Sequence, residues 1–370
     1  MVYLDNASTT AVHPAVIQLM AEQMTSVWGN PSSTHSMGRQ AKSVIENARK
    51  TIAQLIGASS SEIIFTSGAT EAIHTIIHGC VQHHHIQRII TTKIEHHAVL
   101  DTIQSLNNVE VIYISITESG EINYAELEKN LQETTPTLVC LMHVNNETGT
   151  ITNLKKVSDW CLQYNALFLS DTVQSLGKEH LNVSEIPVDF LIGSAHKFHG
   201  PKGIGFYYKK KTLGLPAIFK GGDQEKGLRA GTENTFAIAG MAKALEMAIT
   251  NLIPNQKHLT DLKQYATTQL LKAFPETLIN GGTYTAPHIL NITLPLEESK
   301  TDMMVFLLDM QGICVSRGSA CQSGSAKPSH VLAEMLSESD LKKPSIRISF
   351  SYTSSKEEVH EATIIGHEQT

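Results

Sequence analysis

Short apolar runs alternate with amphipathic segments along the first two thirds of the chain. Residues 37–57 carry apolar side chains at helical spacing and end on Gly57, a pattern that predicts a helix and its stop. Apolar runs rich in strand-forming residues lie at 62–66, 88–92, 109–114, 137–144, 166–171, 189–194 and 203–208. Their near-continuous apolar character indicates strands that are covered on both faces. Alternation of such strands with helices predicts an α/β fold with a mostly parallel sheet.

The pattern changes at about residue 253. Residues 253–258 (IPNQKH) have the composition of a connector. After them we expect a helix, a strand, a second helix and a final strand, at 258–273, 288–294, 300–311 and 345–351. We therefore predict a large domain over 13–252. A smaller α+β domain over 253–370 would also include residues 1–12.

Polar residues stand at or just after the ends of five predicted strands. They are Thr70, His96, Asn146, Asp171 and Lys197. In open α/β sheets, ligands bind beyond the carboxyl ends of the strands. The sequence therefore predicts that these side chains surround one site.

Composition narrows the class of protein. The 370 residues carry a formal net charge of -7, whereas a nucleic-acid-binding protein would show a basic stripe, so we expect no direct nucleic-acid partner. No apolar run approaches the ~18 residues that span a bilayer, and the N-terminus lacks a signal-peptide pattern. Five scattered cysteines indicate free thiols in a reducing compartment. We therefore expect a cytoplasmic protein with no membrane segment.

Three consecutive histidines at 83–85 are the one compositional oddity. No cysteine or carboxylate stands around them at the spacing of metal ligands. A solvated loop is therefore favoured over a metal site, and we expect no metal in this protein.

Lys197 lies in an unusual segment, GSAHKFHGPKGIG (193–205), directly after a predicted buried strand. The ordinary pKa of a lysine is about 10.4, and desolvation or nearby positive charge lowers it. A lysine so placed is a candidate nucleophile for Schiff-base chemistry. The alternative is a surface lysine on a loop.

Asp171 opens the segment DTVQ at the end of another apolar run. A carboxylate there can keep a pyridine nitrogen protonated, which makes pyridoxal phosphate an electron sink. Gln174, three residues further on, could reach the hydroxyl of the same ring. The alternative for Asp171 is an ordinary helix N-cap.

TSGATE (66–71) predicts a tight turn that opens a helix at Ala69 and Thr70. Free N–H groups and the helix dipole at such a turn suit a phosphate, although many strand–helix turns look alike. Ser194 and His196, which flank Lys197, could add donors. In EHHAVL (95–100), His96 or His97 could stack on a planar ring and exchange protons near neutral pH, while at least one of the two is expected to face solvent at the start of a helix.

Two further residues stand out in the last part of the chain. Cys321 lies in SRGSACQSGSAKPSH (316–330), a segment too small and polar for a core, which suits a thiol that must move. A structural loop with an incidental thiol is the alternative. Arg347 lies alone in the apolar strand SIRISFS, where a buried arginine needs an anionic partner. That partner is either a substrate carboxylate or a structural salt bridge.

These segments together resemble the cysteine desulfurases, the NifS/IscS-like branch of the pyridoxal-phosphate-dependent fold-type I enzymes, which are class V aminotransferase-like. The resemblance runs nearly end to end, in the order of the family. The matching segments are YLDNASTT, GNPSSTHSMGR, FTSGATE, EHHAVLDT, HVNNETG, DTVQSLGK, GSAHKFHGPKG, GGDQEKGLRAGTEN, SRGSACQSG, PSHVL and SIRIS. The resemblance implies a large domain with a mostly parallel seven-stranded sheet and a smaller α+β domain that carries a mobile cysteine loop at about 316–330.

The resemblance also assigns roles to individual residues. Lys197 would hold pyridoxal 5'-phosphate covalently, Asp171 would pair with its ring nitrogen, and His96 would stack on the ring. The remaining cofactor contacts would come from Gln174 and Asn146 at the ring hydroxyl, and from Ala69, Thr70, Ser194 and His196 at the phosphate. Thr232 would reach the phosphate of a partner subunit, which implies a homodimer. Arg347 would bind the substrate carboxylate with Asn30 and Arg39 close by, and Cys321 would attack the substrate sulfur.

The activity implied is the conversion of L-cysteine to L-alanine, with the sulfur held as a persulfide on Cys321. The sulfur would then pass to an acceptor protein of iron–sulfur cluster assembly or of tRNA or cofactor thiolation. The alternatives are a related selenocysteine lyase or aminotransferase. The sequence departs from the family at His74, Arg317 and the pair Ser351-Tyr352, none of which replaces a catalytic group.

Overall fold

The computed structural model describes residues 1–298, 301–317 and 328–368. The chain begins with the short strand β1 (Val2–Tyr3). Seven strands then form a central sheet: β2 (Ile63–Thr66), β3 (Arg88–Thr91), β4 (Glu110–Tyr113), β5 (Thr137–Cys140), β6 (Leu167–Asp171), β7 (Phe190–Ser194) and β8 (Gly205–Lys209). Their order across the sheet is β2-β8-β7-β6-β5-β3-β4. Each of the predicted strand runs therefore contributes one strand to the sheet.

The sheet is mostly parallel, as predicted. β4, β3, β5, β6 and β7 pair in parallel, whereas β8 runs antiparallel to both of its neighbours, β7 and β2. The carboxyl ends of all the strands except β8 therefore meet at one edge. Every residue of β2, β3, β5, β7 and β8 is buried, which explains their continuous apolar runs.

Helices cover both faces of this sheet. They are α1 (Pro14–Ser26), α2 (Ser36–Leu55), α3 (Ala69–His83), α4 (His97–Gln104), α5 (Tyr124–Leu131), α6 (Leu154–Gln163) and α7 (Thr235–Thr250). Apolar residues of α1, α2, α5, α6 and α7 pack in one core, which includes Ile45 and Met241. Those of α3 and α4 pack in a second core, which includes Ile76 and Val99. The two cores bury the opposite faces of the sheet.

The last part of the chain forms a smaller α+β unit. Its elements are α8 (Leu252–Ala273), β9 (Leu278–Asn280), β10 (Ile289–Thr293), α9 (Thr301–Met310), β11 (Ile313–Cys314), α10 (His330–Ala333), α11 (Glu338–Leu341), β12 (Ser345–Ser349) and α12 (Lys356–Glu368). β10 pairs antiparallel with β9 and β12, and β1 pairs in parallel with β11. Leu4 shares a core with Leu262 and Ile346. The division into domains at residues 12 and 252 stays a prediction.

The expected connector at 253–258 is wrong. These residues belong to α8, which begins at Leu252 and follows α7 after the single residue Asn251. Pro254 stands in the first turn of α8, where its missing N–H removes no helical hydrogen bond. Among the described residues no single helix is long and apolar enough to cross a membrane. Only α7 and α8 taken as a pair reach that length and composition, with a 72° bend between them.

Candidate active site

A cavity of about 530 Å³ opens at the edge where the carboxyl ends of the parallel strands meet. Ten of the residues singled out in the sequence line it: Ala69, Thr70, His96, Asn146, Asp171, Gln174, Ser194, His196, Lys197 and Arg347. They come from segments that are widely separated in the chain. The topology of the sheet therefore brings the predicted chemistry to one place.

Lys197 ends a single 3₁₀ turn, Ala195–Lys197, which directly follows β7. Its Nζ atom donates hydrogen bonds to the carbonyl oxygens of Ala7 (2.7 Å) and Ser8 (2.8 Å). The N-terminal segment thus crosses the cavity and meets the lysine. The sequence analysis assigned this segment to the smaller domain but gave it no part in the site. A short strand followed by the small polar residues DNASTT could have indicated one.

Asp171 is the last residue of β6 and only 8% exposed. Its Oδ1 atom accepts a hydrogen bond from the N–H of Val173 at 2.9 Å. Burial raises the pKa of Asp171, while electrostatic interactions with His96 and Lys197 act in the opposite direction. A buried carboxylate of this kind is stabilised by a cationic partner, as a protonated ring nitrogen would be.

His96 is the N-cap of α4, and its Nδ1 atom accepts a hydrogen bond from the N–H of Ala98 at 3.0 Å. Burial lowers the pKa of His96. The ring is therefore neutral near pH 7, with its proton assigned to Nε2 because Nδ1 is an acceptor. His96 lines the cavity from the start of the helix, so of the two alternatives left by the sequence it takes the place in the site and does not face solvent.

Two side-chain amides keep unused hydrogen-bonding capacity in the cavity. Gln174 donates from Nε2 to the carbonyl of Ala7 at 2.9 Å, while its Oε1 atom is buried without a partner among the described residues. The Oδ1 atom of Asn146 is likewise buried and unpartnered within the described part of the chain. Buried polar atoms are normally hydrogen-bonded, so this pair indicates a polar ligand.

The turn before α3 suits an anion. Gly68 is the N-cap of α3 and offers no side-chain hydrogen bond to the free N–H groups of the first turn. A Cβ atom added to Gly68 would meet nothing closer than the Ser194 Oγ atom at 4.0 Å, so the turn is open. The nearby Glu71 carboxylate pairs with Arg229 at 3.0 Å. His196 contacts Thr9 Oγ1 at 3.1 Å, and burial lowers its pKa to about 4.

Arg347 is 1% exposed on β12 and forms a salt bridge, which is one of its two predicted alternatives; binding of a substrate carboxylate stays a prediction. Its Nη2 atom pairs with the Asp5 carboxylate at 2.9 Å and donates to Ser8 Oγ at 2.6 Å, and Nη1 donates to the Asn146 carbonyl at 2.7 Å. Nε is buried and has no partner among the described residues. A structural ion pair therefore orients the guanidinium, which also lines the cavity. Sequence analysis missed Asp5.

The other predicted residues lie elsewhere. Thr232 lines a neighbouring pocket of about 140 Å³ that shares Ser67 and Gly203 with the main cavity. Asn30 and Arg39 bond within their own segment, through Ser32 N at 2.9 Å and Thr34 O at 2.5 Å, and neither lines the main cavity. Cys321 and most of its predicted loop lie outside the described residues.

The three consecutive histidines lie at the end of α3 and in the turn after it, where His84 Nε2 contacts the Gly214 carbonyl at 2.8 Å. The described part of the chain contains no group of three or more His, Cys, Asp or Glu side chains that could hold a metal ion. That these three histidines do not bind a metal ion therefore stays a prediction.

Comparison with known proteins agrees with this geometry. The aminotransferase class-V family matches residues 2–361. The protein named cysteine desulfurase IscS of Dictyoglomus turgidum is 38% identical over 364 residues, 97% of this chain and 92% of that protein. The putative cysteine desulfurase IscS 1 of Bacillus subtilis is 37% identical over 367 residues, 98% of this chain and 96% of that protein.

Solved structures give the same result. A NifS-like protein that is 35% identical superposes with a TM-score of 0.91, covering 100% of this chain and 98% of that one. A structure described as SspA in complex with cysteine is 30% identical, with a TM-score of 0.84 over 96% of this chain and 100% of that one. Enzymes of this family use pyridoxal phosphate. The chain therefore belongs to the aminotransferase class-V family and, within it, to the pyridoxal-phosphate-dependent cysteine desulfurases of the NifS/IscS type.

Proposed function

We propose that this protein is a cysteine desulfurase that converts L-cysteine to L-alanine and holds the sulfur as a persulfide on Cys321. The observation that carries the proposal is the convergence of Lys197, Asp171 and Arg347 on one cavity. These side chains are, respectively, a nucleophilic amine, a partner for a ring nitrogen and a fork for a carboxylate. A selenocysteine lyase or an aminotransferase is not favoured, since the named relatives are desulfurases.

The described residues fit pyridoxal 5'-phosphate. The two unpartnered amides, Asn146 and Gln174, would contact the ring hydroxyl, and Asp171 would face the ring nitrogen. His96 would cover one face of the ring. The open turn at the start of α3 would receive the phosphate, with Ala69, Thr70, Ser194 and His196 as its neighbours. When bound, the cofactor supplies an electron sink for the carbanion that forms at the substrate Cα atom.

The protein groups would then act as follows. Arg347 binds the substrate carboxylate through the Nε edge, which its ion pair with Asp5 leaves unused. Lys197 takes the proton from Cα and holds it on Nζ. The carbonyls of Ala7 and Ser8, at 2.7 and 2.8 Å, accept hydrogen bonds from the ammonium and so stabilise the proton there. Proton transfer therefore occurs between a substrate fixed at one end and a lysine fixed at the other.

The sulfur step would use Cys321. Its thiolate sulfur bonds to the sulfur of the substrate, the substrate C–S bond breaks, and the electron pair of that bond stays with carbon. A proton then completes the methyl group of L-alanine, so that L-cysteine and a thiol become L-alanine and a persulfide. No external oxidant or reductant is needed for this half-reaction.

We further propose a homodimer in the cytoplasm. Thr232 would reach the phosphate of the partner's cofactor. This role is supported by its place in a pocket that it lines together with Ser67. Asn30 and Arg39 would lie close to the assembled site. The persulfide sulfur would pass to an acceptor protein of iron–sulfur cluster assembly or of tRNA or cofactor thiolation. Light scattering tests the dimer, and Thr232→Ala should weaken cofactor retention on dialysis without changing its monomer–dimer ratio.

The experiment that tests the activity measures alanine released from L-cysteine with a reductant present. The wild type should release alanine and Cys321→Ala almost none, although the variant should still bind the cofactor. Cys314→Ala is the matched control, because Cys314 is the one cysteine of the described residues that is not fully buried, and burial raises its pKa. Equal alanine from wild type and Cys321→Ala would remove Cys321 as the nucleophile, and no alanine from either would overturn the activity.

A further inference from the structure

A second cavity, of about 250 Å³, lies behind the lysine segment. It shares no lining residue with the candidate active site. His196 and Lys197 line the active-site cavity, whereas the next two residues, Phe198 and His199, line this one. The opposite wall comes from α7 and α8 and from the residues that follow β12, including Tyr352. We call it the rear cavity.

The rear cavity has mainly apolar walls. Phe198, Met247, Leu252, Leu259 and Phe350 contribute to them. At its mouth the rings of His199 and Tyr352 contact each other, with their centroids 4.5 Å apart. Burial lowers the pKa of His199 to about 4, so this ring is neutral near pH 7. A largely apolar, partly aromatic cavity with a few polar groups is the usual form of a small-molecule site.

Lys178 is the one lysine or arginine among the residues that line the rear cavity. Its Nζ atom has a single long hydrogen bond, 3.5 Å to the Gln174 carbonyl. The adjacent Glu179 carboxylate accepts instead from Gln256 Nε2 at 3.2 Å. None of the residues that line the rear cavity is Asp or Glu. Lys178 therefore lines the cavity without an ion pair to any described residue, and no carboxylate lines the cavity beside it.

An amine in this position is destabilised as a cation. Burial and the nearby Lys197 lower the pKa of Lys178 to about 7, and Glu179 offsets them only in part. A buried ammonium requires an anionic partner. Because no carboxylate lines the rear cavity, a bound ligand would have to supply that partner. The aromatic rings around the mouth favour a ligand with a flat apolar body.

We propose that the rear cavity binds a small aromatic carboxylate, whose carboxylate pairs with Lys178 and whose ring packs against Phe198, Phe350 and Tyr352. This site is independent of the desulfurase activity proposed above. The anion is expected to bind more tightly than a neutral ring of the same size. Both would pack against the apolar walls, but only the anion would pair with the lysine.

The test uses benzoate as probe and benzyl alcohol as its neutral counterpart, with affinities measured by ligand-observed NMR on the cofactor-loaded protein. Lys178→Met should weaken benzoate binding at least tenfold and leave the weaker binding of benzyl alcohol unchanged. Lys257→Met is the matched control, since Lys257 is exposed on α8, next to the cavity-lining Gln256. It should bind benzoate like the wild type.

A second pair of variants separates this site from the active site. Arg347→Met removes a cation that lines the other cavity and should leave benzoate affinity within twofold. If Lys178→Met does not fold, Asn255→Trp, which adds bulk at a partly exposed position of the rear wall, should abolish binding instead. The proposal is overturned if the wild type binds no benzoate at millimolar concentration, if Lys178→Met binds it unchanged, or if only Arg347→Met loses it.

Discussion

A buried ion pair anchors the turn at residues 224–227, close to the pocket that contains Thr232. Arg49 on α2 donates from Nη1 and Nη2 to the two carboxylate oxygens of Glu225, both at 2.7 Å. The same carboxylate accepts from the N–H of Phe65 on β2 at 2.8 Å. The two side chains are 3% and 1% exposed. Glu225→Gln would keep the shape of the side chain but remove its charge.

The expected loss of stability follows from that burial. Removing one partner of a buried, hydrogen-bonded ion pair costs about 3–5 kcal/mol, because the other charge stays buried alone. Among the described residues Arg49 would keep the Ile63 carbonyl at 2.9 Å and one charged partner, Glu46, whose side chain is 48% exposed. For cooperative unfolding of 370 residues, an unfolding entropy of roughly 2.1 cal/mol/K per residue gives a decrease in Tm of about 5 °C.

Urea and thermal unfolding of the cofactor-loaded protein measure this effect. Glu246→Gln is the control, because its pair with Lys243 at 2.9 Å is exposed and should contribute about 0–1 kcal/mol. The double variant Arg49→Met, Glu225→Met should lose less stability than the two single variants add up to, since it leaves no charge buried alone. A Glu225→Gln loss no larger than that of Glu246→Gln would refute the reasoning.

Three further predictions concern the site. Lys197→Ala should abolish covalent attachment of the cofactor, so that borohydride treatment leaves the mass of the protein unchanged; a mass increase would contradict the assignment. Arg347→Lys should raise KM for L-cysteine roughly tenfold or more with a smaller change in kcat, because a lysine cannot keep the ion pair with Asp5 and also replace the Nε donor; a kcat effect alone would exclude this role. Burial raises the pKa of Glu95 from 4.5 to about 8, so the folded protein holds a proton there that the unfolded chain releases. Stability that depends on this proton is present below the lower pKa and is lost as pH rises towards the higher one. The urea midpoint of Glu95→Gln should therefore exceed that of the wild type increasingly from about pH 5 to about pH 8, and a constant difference would show that Glu95 does not titrate there.

The sequence predicted the central sheet well because its signals are local. Each strand is an apolar run, and five of the candidate side chains stand at or just after a strand end, where the parallel topology brings them together. α8 was harder to predict. A proline near a helix start is often taken as a break, but in a first turn it is compatible with the helix. Only the packing of Leu259 and Leu262 in the core of the smaller α+β unit distinguishes the two cases.

Contacts between distant segments were beyond the sequence. Asp5 pairs with Arg347, and the carbonyls of Ala7 and Ser8 accept hydrogen bonds from Lys197. These residues are so far apart in the chain that the pattern of apolar and polar positions does not predict the contacts. Backbone carbonyls in particular carry no residue signature, so their role in holding the lysine could be found only from coordinates. Family resemblance supplied the roles of Asn146 and Gln174, and the structure adds that each keeps a buried oxygen unpartnered within the described residues.

The position of β8 between β2 and β7 limits how early in synthesis the site can be completed. β2 lies at one edge of the sheet, so Thr66 has no strand partner until Gly205 has been synthesised. Arg347 reaches Asp5 only once almost the whole chain has left the ribosome. Contacts so distant in sequence form late and slowly. The turn for the phosphate therefore lacks its neighbouring strand until more than half of the chain has been made, and the fork for the substrate is completed close to the end of synthesis.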